Sequence, residues 1–172
     1  IPSVLFGARN LSPEIYVIPS YLTLFTSVFL HGGWMHLFGN MLFLWVFGDN
    51  IEDSMGHIRY LVFYLLCGVG STLIHAIFAS DSIAPLIGAS GAISGVLGAY
   101  LVLHPKARLL VLVMHVIPLR LPAALVLIGW IGLQFFNLSS SGAEAGGVAW
   151  LAHIGGFFVG MILIVPFRRR GV

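Results

Sequence analysis

The chain has 172 residues, of which 59% are hydrophobic and only 8% charged, with a formal net charge of +2. Soluble domains carry about a quarter charged residues, so this composition excludes an ordinary water-coated globule and makes lipid the main solvent. The single cysteine, Cys67, excludes an internal disulfide and a cysteine metal cluster.

In chain order, residues 1–31 read as an external segment on the membrane surface. The opening, IPSVLFGARNLSPE, has turn residues and no basic leader. Pro2, Pro13 and Pro19 punctuate the segment, and YLTLFTSVFLH is apolar but too short to span, which predicts an interfacial helix. A first spanning helix begins within HGGWMH and ends near Asp49, Glu52 and Asp53. The second runs from Arg59 to about Ala79, and the third starts around Ser90, after Pro85 and Gly88, and stops at HPKAR. LLVLVMHVIP is a short apolar piece expected to dip into the interface. The fourth helix follows Pro122 and has Gln134 near its end; NLSSSGAEAGG, residues 137–147, reads as a flexible external loop. The fifth carries AHIGGFFVG and ends at RRR.

The apolar runs approach the ~20 residues that cross a bilayer core. An open sheet is excluded because lipid cannot satisfy its edges, and the runs do not alternate as barrel strands do. The expected fold is all-α: a polytopic transmembrane helix bundle with about five spanning helices. It forms one domain over 1–172, divided into the external segment 1–31, the bundle 32–167 and a basic tail 168–172. Alternating connections place Arg59, Lys106, Arg108, Arg120, Arg168, Arg169 and Arg170 on one side. Arg9, Glu14, Asp81 and Glu144 fall on the other. The basic side is then cytoplasmic by the positive-inside rule, and so is the C-terminus. The basic residues sit at helix ends without a stripe of interleaved aromatics, so no nucleic-acid partner is expected.

Polar residues within membrane helices are functional suspects. Here they are His36, Asn40, His75, Ser90, Ser94 and His153. Helix direction puts His36, Asn40, Ser90 and His153 at similar depth near the external side. Serine needs an adjacent base to act as a nucleophile, and histidine serves that task near neutral pH. Ser90 sits at a helix N-terminus, where free N–H groups favour negative charge. His36 and Asn40, four apart, share a helix face and can donate to an oxyanion together with the Ser90 N–H. No aspartate lies in these helices to orient His153, so the residues support a Ser–His dyad.

HGGWMHLFGNMLFLWVFGDNIED, GASGAISGVLGAY and AHIGGFFVG, in that order, resemble the rhomboid family of intramembrane serine proteases. The resemblance runs from about Leu30 to Pro166. The family core has six helices, and this chain matches it from after the first. The resemblance implies Ser90 as nucleophile, His153 as general base, and His36 and Asn40 as oxyanion residues. His31, Glu52, Gly88, Gly91, Gly156 and Gly160 match motif positions of structural character. It also implies cleavage of transmembrane protein substrates near their outer ends, within the bilayer and without metal or cofactor. The expected location is the bacterial inner (plasma) membrane. Two positions differ from many members. Leu22-Thr23 stands where a Trp-Arg pair is common, and Ser94 stands where an aromatic residue stacks on the base histidine.

The same residues also carry plainer readings. Ser90/Ser94/Gly98, Gly91/Gly95 and Gly156/Gly160 are small-xxx-small patterns, the usual mark of close helix packing in lipid. Ser94 reads as packing, with a secondary role as a spare nucleophile left open. His75 reads as a satisfied polar residue, and His57, His104 and His115 take no role. His31 and His36, five apart, do not share a helical face, which argues against a histidine metal site. Gly32, Gly33, Gly146 and Gly147 flank routes that admit water. The competing functions are a non-catalytic relative that binds membrane helices and, more remotely, a transporter. Transporters usually carry midplane charges and paired repeats, and neither is present.

Overall fold

The computed structural model describes residues 1–8, 10, 12, 18–113, 117–142 and 148–169. Expectations placed on Arg9, Glu14, His115, Glu144, Gly146, Gly147 and Arg170 lie outside the described residues. A short helix α1 (Pro2–Leu5) opens the chain, and its Ser3 N–H bonds the Ser82 carbonyl at 3.1 Å. The expected interfacial helix is present as one continuous apolar helix, Ser20–Phe29, in which a 3₁₀ turn (Ser20–Leu22) leads into one turn of α2 (Thr23–Thr26) and a second 3₁₀ turn (Ser27–Phe29).

Five longer helices make the bundle: α3 (Trp34–Met55), α4 (His57–Phe78), α5 (Ser90–Leu103), α6 (Ala123–Ser141) and α7 (Trp150–Phe167). Of these, α4, α6 and α7 are long and apolar enough to cross a bilayer by themselves. Helix α3 has 22 residues, but Asp49, Glu52 and Asp53 lie in its last two turns. Helix α5 has only 14 residues, about 21 Å at the α-helical rise, well short of a ~30 Å hydrocarbon core. It tolerates this because it is walled by protein: every residue from Gly91 to Tyr100 is buried. Apolar side chains that face outward on its neighbours, such as Trp45, Phe78 and Ile162, are more than two-thirds exposed, as a lipid-facing surface requires.

The glycines explain how α5 reaches the centre. A Cβ at Gly156 would collide with the Gly91 carbonyl, one at Gly160 with the Gly95 carbonyl, and one at Gly98 with the Phe157 carbonyl. The backbones of α5 and α7 are thus in direct contact, which any larger residue would prevent. Ser71 Oγ of α4 donates to the Ala152 carbonyl of α7 at 2.7 Å, fixing α4 against the same pair.

Two sequence expectations are corrected. The 137–147 loop is partly helical, since α6 runs to Ser141. Ser139 and Ser140 turn their hydroxyls back onto the Phe136 carbonyl at 2.8 and 2.7 Å, which spends polar groups that would otherwise favour a loop. Gly142, at φ +81°, then ends the helix. The second correction concerns residues 108–113 and 117–122, which form an antiparallel pair of strands, β1 (Arg108–Val113) with β2 (Ile117–Pro122), pairing Arg108 with Pro122 and Val113 with Ile117. The exclusion of an open sheet rests on unsatisfied edges in hydrocarbon. The two strands connect the end of α5 to the start of α6, and at six residues each they are too short to span. The base of the pair passes into α6: the Ala123 and Ala124 N–H groups donate to the Ala107 and Pro105 carbonyls at 2.7 and 2.9 Å, satisfying two of the free donors at a helix start.

Candidate active site

The non-helical stretch between α4 and α5 ends in Gly88, whose φ of +116° is open to glycine and strained for other residues. Its N–H donates to the Ser27 carbonyl at 2.9 Å, which ties the surface segment to the start of α5. This turn sets Ser90 as the first residue of α5. Non-helical backbone is tolerated inside a membrane protein where protein or a polar cavity surrounds it.

Ser90 Oγ and His153 Nε2 are 2.9 Å apart, across the α5–α7 contact. The other ring nitrogen, His153 Nδ1, is 2.8 Å from Gln134 Oε1 on α6. Trp130 packs beside the imidazole in a tilted arrangement with centroids 6.0 Å apart and 31° between planes, and Trp150 meets it edge-on at 6.2 Å. The aromatic packing absent at Ser94 thus comes from other helices. Ser94 is itself buried and donates to the Ser90 carbonyl at 2.6 Å, as a packing residue does, and it also lines the cavity that Ser90 faces.

Helix α3 brings two donors to the same place. A Cβ built on Gly88 would lie 2.8 Å from His36 Nε2 and 3.7 Å from Asn40 Nδ2, so both side chains face the backbone just before Ser90. His36 Nδ1 accepts from the Gly32 N–H at 3.3 Å, which leaves Nε2 as the protonated nitrogen of a neutral ring. Asn40 is 8% exposed and its Nδ2 has no partner among the described residues. An orphaned buried donor is costly in a resting structure and is what an incoming anion would satisfy. His31 packs edge-on against His36 with centroids 5.2 Å apart.

Ser90, His153, His36, Asn40, Gly88 and Gly91 line one cavity of about 710 Å³, with Gly32 at its margin. Gly156 and Gly160 stand behind it in the α5–α7 contact. Glu52 is elsewhere, at the far end of α3, 2.5 Å from His57 Nδ1. There Gly56, at φ +85°, turns the chain into α4 and the Arg169 N–H bonds the Ser54 carbonyl at 2.9 Å. His75 is fully buried on α4 and lines the same cavity. Gln134 is the member that sequence reasoning passed over. Its signal was present: it is the sole Asn, Gln, Ser, Thr or charged residue between Ala123 and Phe136. Among the described residues no group of three or more His, Cys, Asp or Glu side chains is placed to hold a metal ion.

The arrangement offers a hydroxyl, an imidazole in bonding reach and a pair of N–H donors around one cavity. Comparison with known proteins gives the same direction. The family model described as Rhomboid domain matches residues 19–170. Over 163 residues the chain is 33% identical to "Rhomboid protease GluP" of Bacillus subtilis (strain 168), covering 95% of this chain and 30% of that protein. It is 29% identical to "RHOMBOID-like protein 5" of Arabidopsis thaliana, over 83% of this chain and 44% of the relative. With "Rhomboid protein 1, mitochondrial" of Saccharomyces cerevisiae the figures are 28%, 84% and 41%. The chain therefore spans less than half the length of each of these three curated relatives. A family match over nearly the whole sequence, on a helical bundle with lipid-facing walls, makes this chain a multi-pass membrane protein that belongs to the rhomboid family.

Proposed function

We propose that the protein is an intramembrane serine endopeptidase that cuts the transmembrane segments of other membrane proteins near their outer ends. The observation that carries this reading is the 2.9 Å approach of Ser90 Oγ to His153 Nε2, at the wall of a cavity large enough for a stretch of peptide. A helix offers no free carbonyl to attack, so the substrate must unwind locally and present an extended segment. Ser90 Oγ attacks the scissile carbonyl carbon while His153 Nε2 takes the hydroxyl proton, and the carbonyl π pair moves onto oxygen. His36 Nε2–H, Asn40 Nδ2–H and the Ser90 N–H receive that oxyanion. His153 then returns the proton to the leaving amine as the C–N bond breaks, and water releases the acyl group by the same steps. The whole of 1–172 acts as a single membrane unit. The basic ends of α4, α5 and α7 face the cytoplasm of a bacterial inner membrane and the site faces outward.

The test is incubation of the lipid-reconstituted protein with a single-span substrate, followed by mass measurement of the products. Cleavage inside the membrane segment, absent in Ser90→Ala, supports the reading. Equal cleavage by Ser90→Ala overturns it, and no cleavage across several lipid compositions favours a relative that binds helices without cutting them.

A further inference from the structure

The hydrogen bonds around His153 continue one residue beyond the dyad. Gln134 is buried, at 6% exposure, and its amide is held at both ends: Nε2 donates to the Trp130 carbonyl at 3.2 Å and Oε1 lies 2.8 Å from His153 Nδ1. A carbonyl oxygen accepts only, so the nitrogen contact fixes which end of the amide faces the ring. Oε1 then requires a proton on Nδ1, and a neutral imidazole protonated at Nδ1 carries its lone pair on Nε2. That lone pair is 2.9 Å from the Ser90 hydroxyl. Four hydrogen-bonding groups in series therefore leave a single consistent proton arrangement.

We infer that Gln134 is a positioning residue that holds His153 in the tautomer able to accept the Ser90 proton, forming an uncharged third member behind the dyad. This rests on the protease reading above. During attack the Ser90 proton moves to Nε2, and the resulting imidazolium keeps its Nδ1–H bond to Oε1. Gln134 stays neutral throughout, because an amide oxygen cannot hold the second proton at ordinary pH. The wrong tautomer is expensive in serine hydrolases: when the orienting group cannot accept from Nδ1, turnover falls by about 10⁴. A carboxylate would orient the ring more strongly, but a charge at this depth is costly to bury. No Asp, Glu, Lys or Arg lies on α6 or on α7 before Arg168. The titratable groups that bear on His153 are His36 of α3 and His75 of α4, while its Nδ1 faces Gln134 Oε1. The competing role for Gln134 is interhelical glue between α6 and α7, which would leave the tautomer unaffected.

The test uses the full chain in lipid with ¹⁵N-labelled histidine, His153 being assigned by difference from His153→Ala. Two variants remove the acceptor, Gln134→Met of similar volume and Gln134→Leu as a second in case one fails to insert. Gln134→Glu keeps an acceptor in place. Wild type and Gln134→Glu are expected to show Nδ1–H, and the acceptor-free variants a substantial Nε2–H population. In substrate cleavage the acceptor-free variants should lose kcat by about tenfold or more with KM within about twofold, and Gln134→Glu should recover most of it. An unchanged tautomer, or unchanged kcat, in an inserted acceptor-free variant overturns the inference. If wild type shows no Ser90-dependent cleavage, the protease reading fails alone, and the tautomer comparison still decides what Gln134 does.

Discussion

The most exacting residue in the site has no side chain. Gly88 combines a φ of +116° with a position where a Cβ would press on His36 at 2.7 Å. Gly88→Ala should cost about 1–3 kcal/mol in backbone strain and displace His36. The expected outcome is a lower melting temperature together with loss of kcat, measured on the reconstituted protein. Asn40→Ala is the complementary case. Its Nδ2 has no partner among the described residues, so removing it should leave stability nearly unchanged. Turnover should fall on the order of 10²–10³, the usual loss for one oxyanion donor; a fall in stability with intact kcat would assign Asn40 to packing. At this scale the sequence was informative where helix direction could be combined with motif spacing. Ser90, His153, His36 and Asn40 are drawn from three helices to line one cavity. Gln134 escaped because no motif contains it, although its isolation in an apolar run is what the cost of polar groups in lipid makes conspicuous. Ser94 could not be resolved from sequence, since packing and reserve nucleophile differ only in where the hydroxyl points.

Among the elements, the α5–α7 contact determines whether the site exists. Gly160→Ala would drive a methyl group into the Gly95 carbonyl, and the two helices must separate. The expectation is a destabilisation of roughly 1–3 kcal/mol, as for other overpacked contacts, with activity lost because Ser90 and His153 no longer meet. Gly129 and Gly132 on α6 make the control. A Cβ at either meets nothing within 4 Å, and Ala is the better helix former by up to about 1 kcal/mol. Gly129→Ala and Gly132→Ala should therefore keep or raise the melting temperature; a drop equal to that of Gly160→Ala would contradict the packing account. All five long helices were legible, because apolar runs bounded by Pro, Gly and charge leave few alternatives in lipid. The strand pair was not. Residues 108–122 form an apolar stretch too short for periodicity to separate strand from helix, and only pairing in space distinguishes them. The end of α6 was missed because three serines and an asparagine look like a loop until the Ser139 and Ser140 hydroxyls are seen bonding to the preceding turn.

At the scale of the molecule, the architecture is a short polar-headed helix sunk inside a ring of longer ones. A 14-residue α5, its start held by the Gly88 turn, is expected to begin beneath one membrane surface. The charge distribution predicts which surface that is. In a Cys67→Ala background, a cysteine at Lys106 should react with a membrane-impermeant maleimide from the cytoplasmic side, and one at Asp81 from the opposite side. The reverse pattern would invert the topology. Cys67 itself, fully buried, should stay unmodified in the native protein. Chain direction and charge give an expected orientation from sequence, whereas the meeting of hydroxyl and imidazole depends on a helix-to-helix separation that only coordinates supply. The most direct test of that meeting is covalent labelling of the lipid-reconstituted protein by a fluorophosphonate, with the modified residue mapped by mass spectrometry. The account predicts adduct at Ser90, lost in His153→Ala; adduct forming at the same rate without His153, or mapping to another serine, would contradict it.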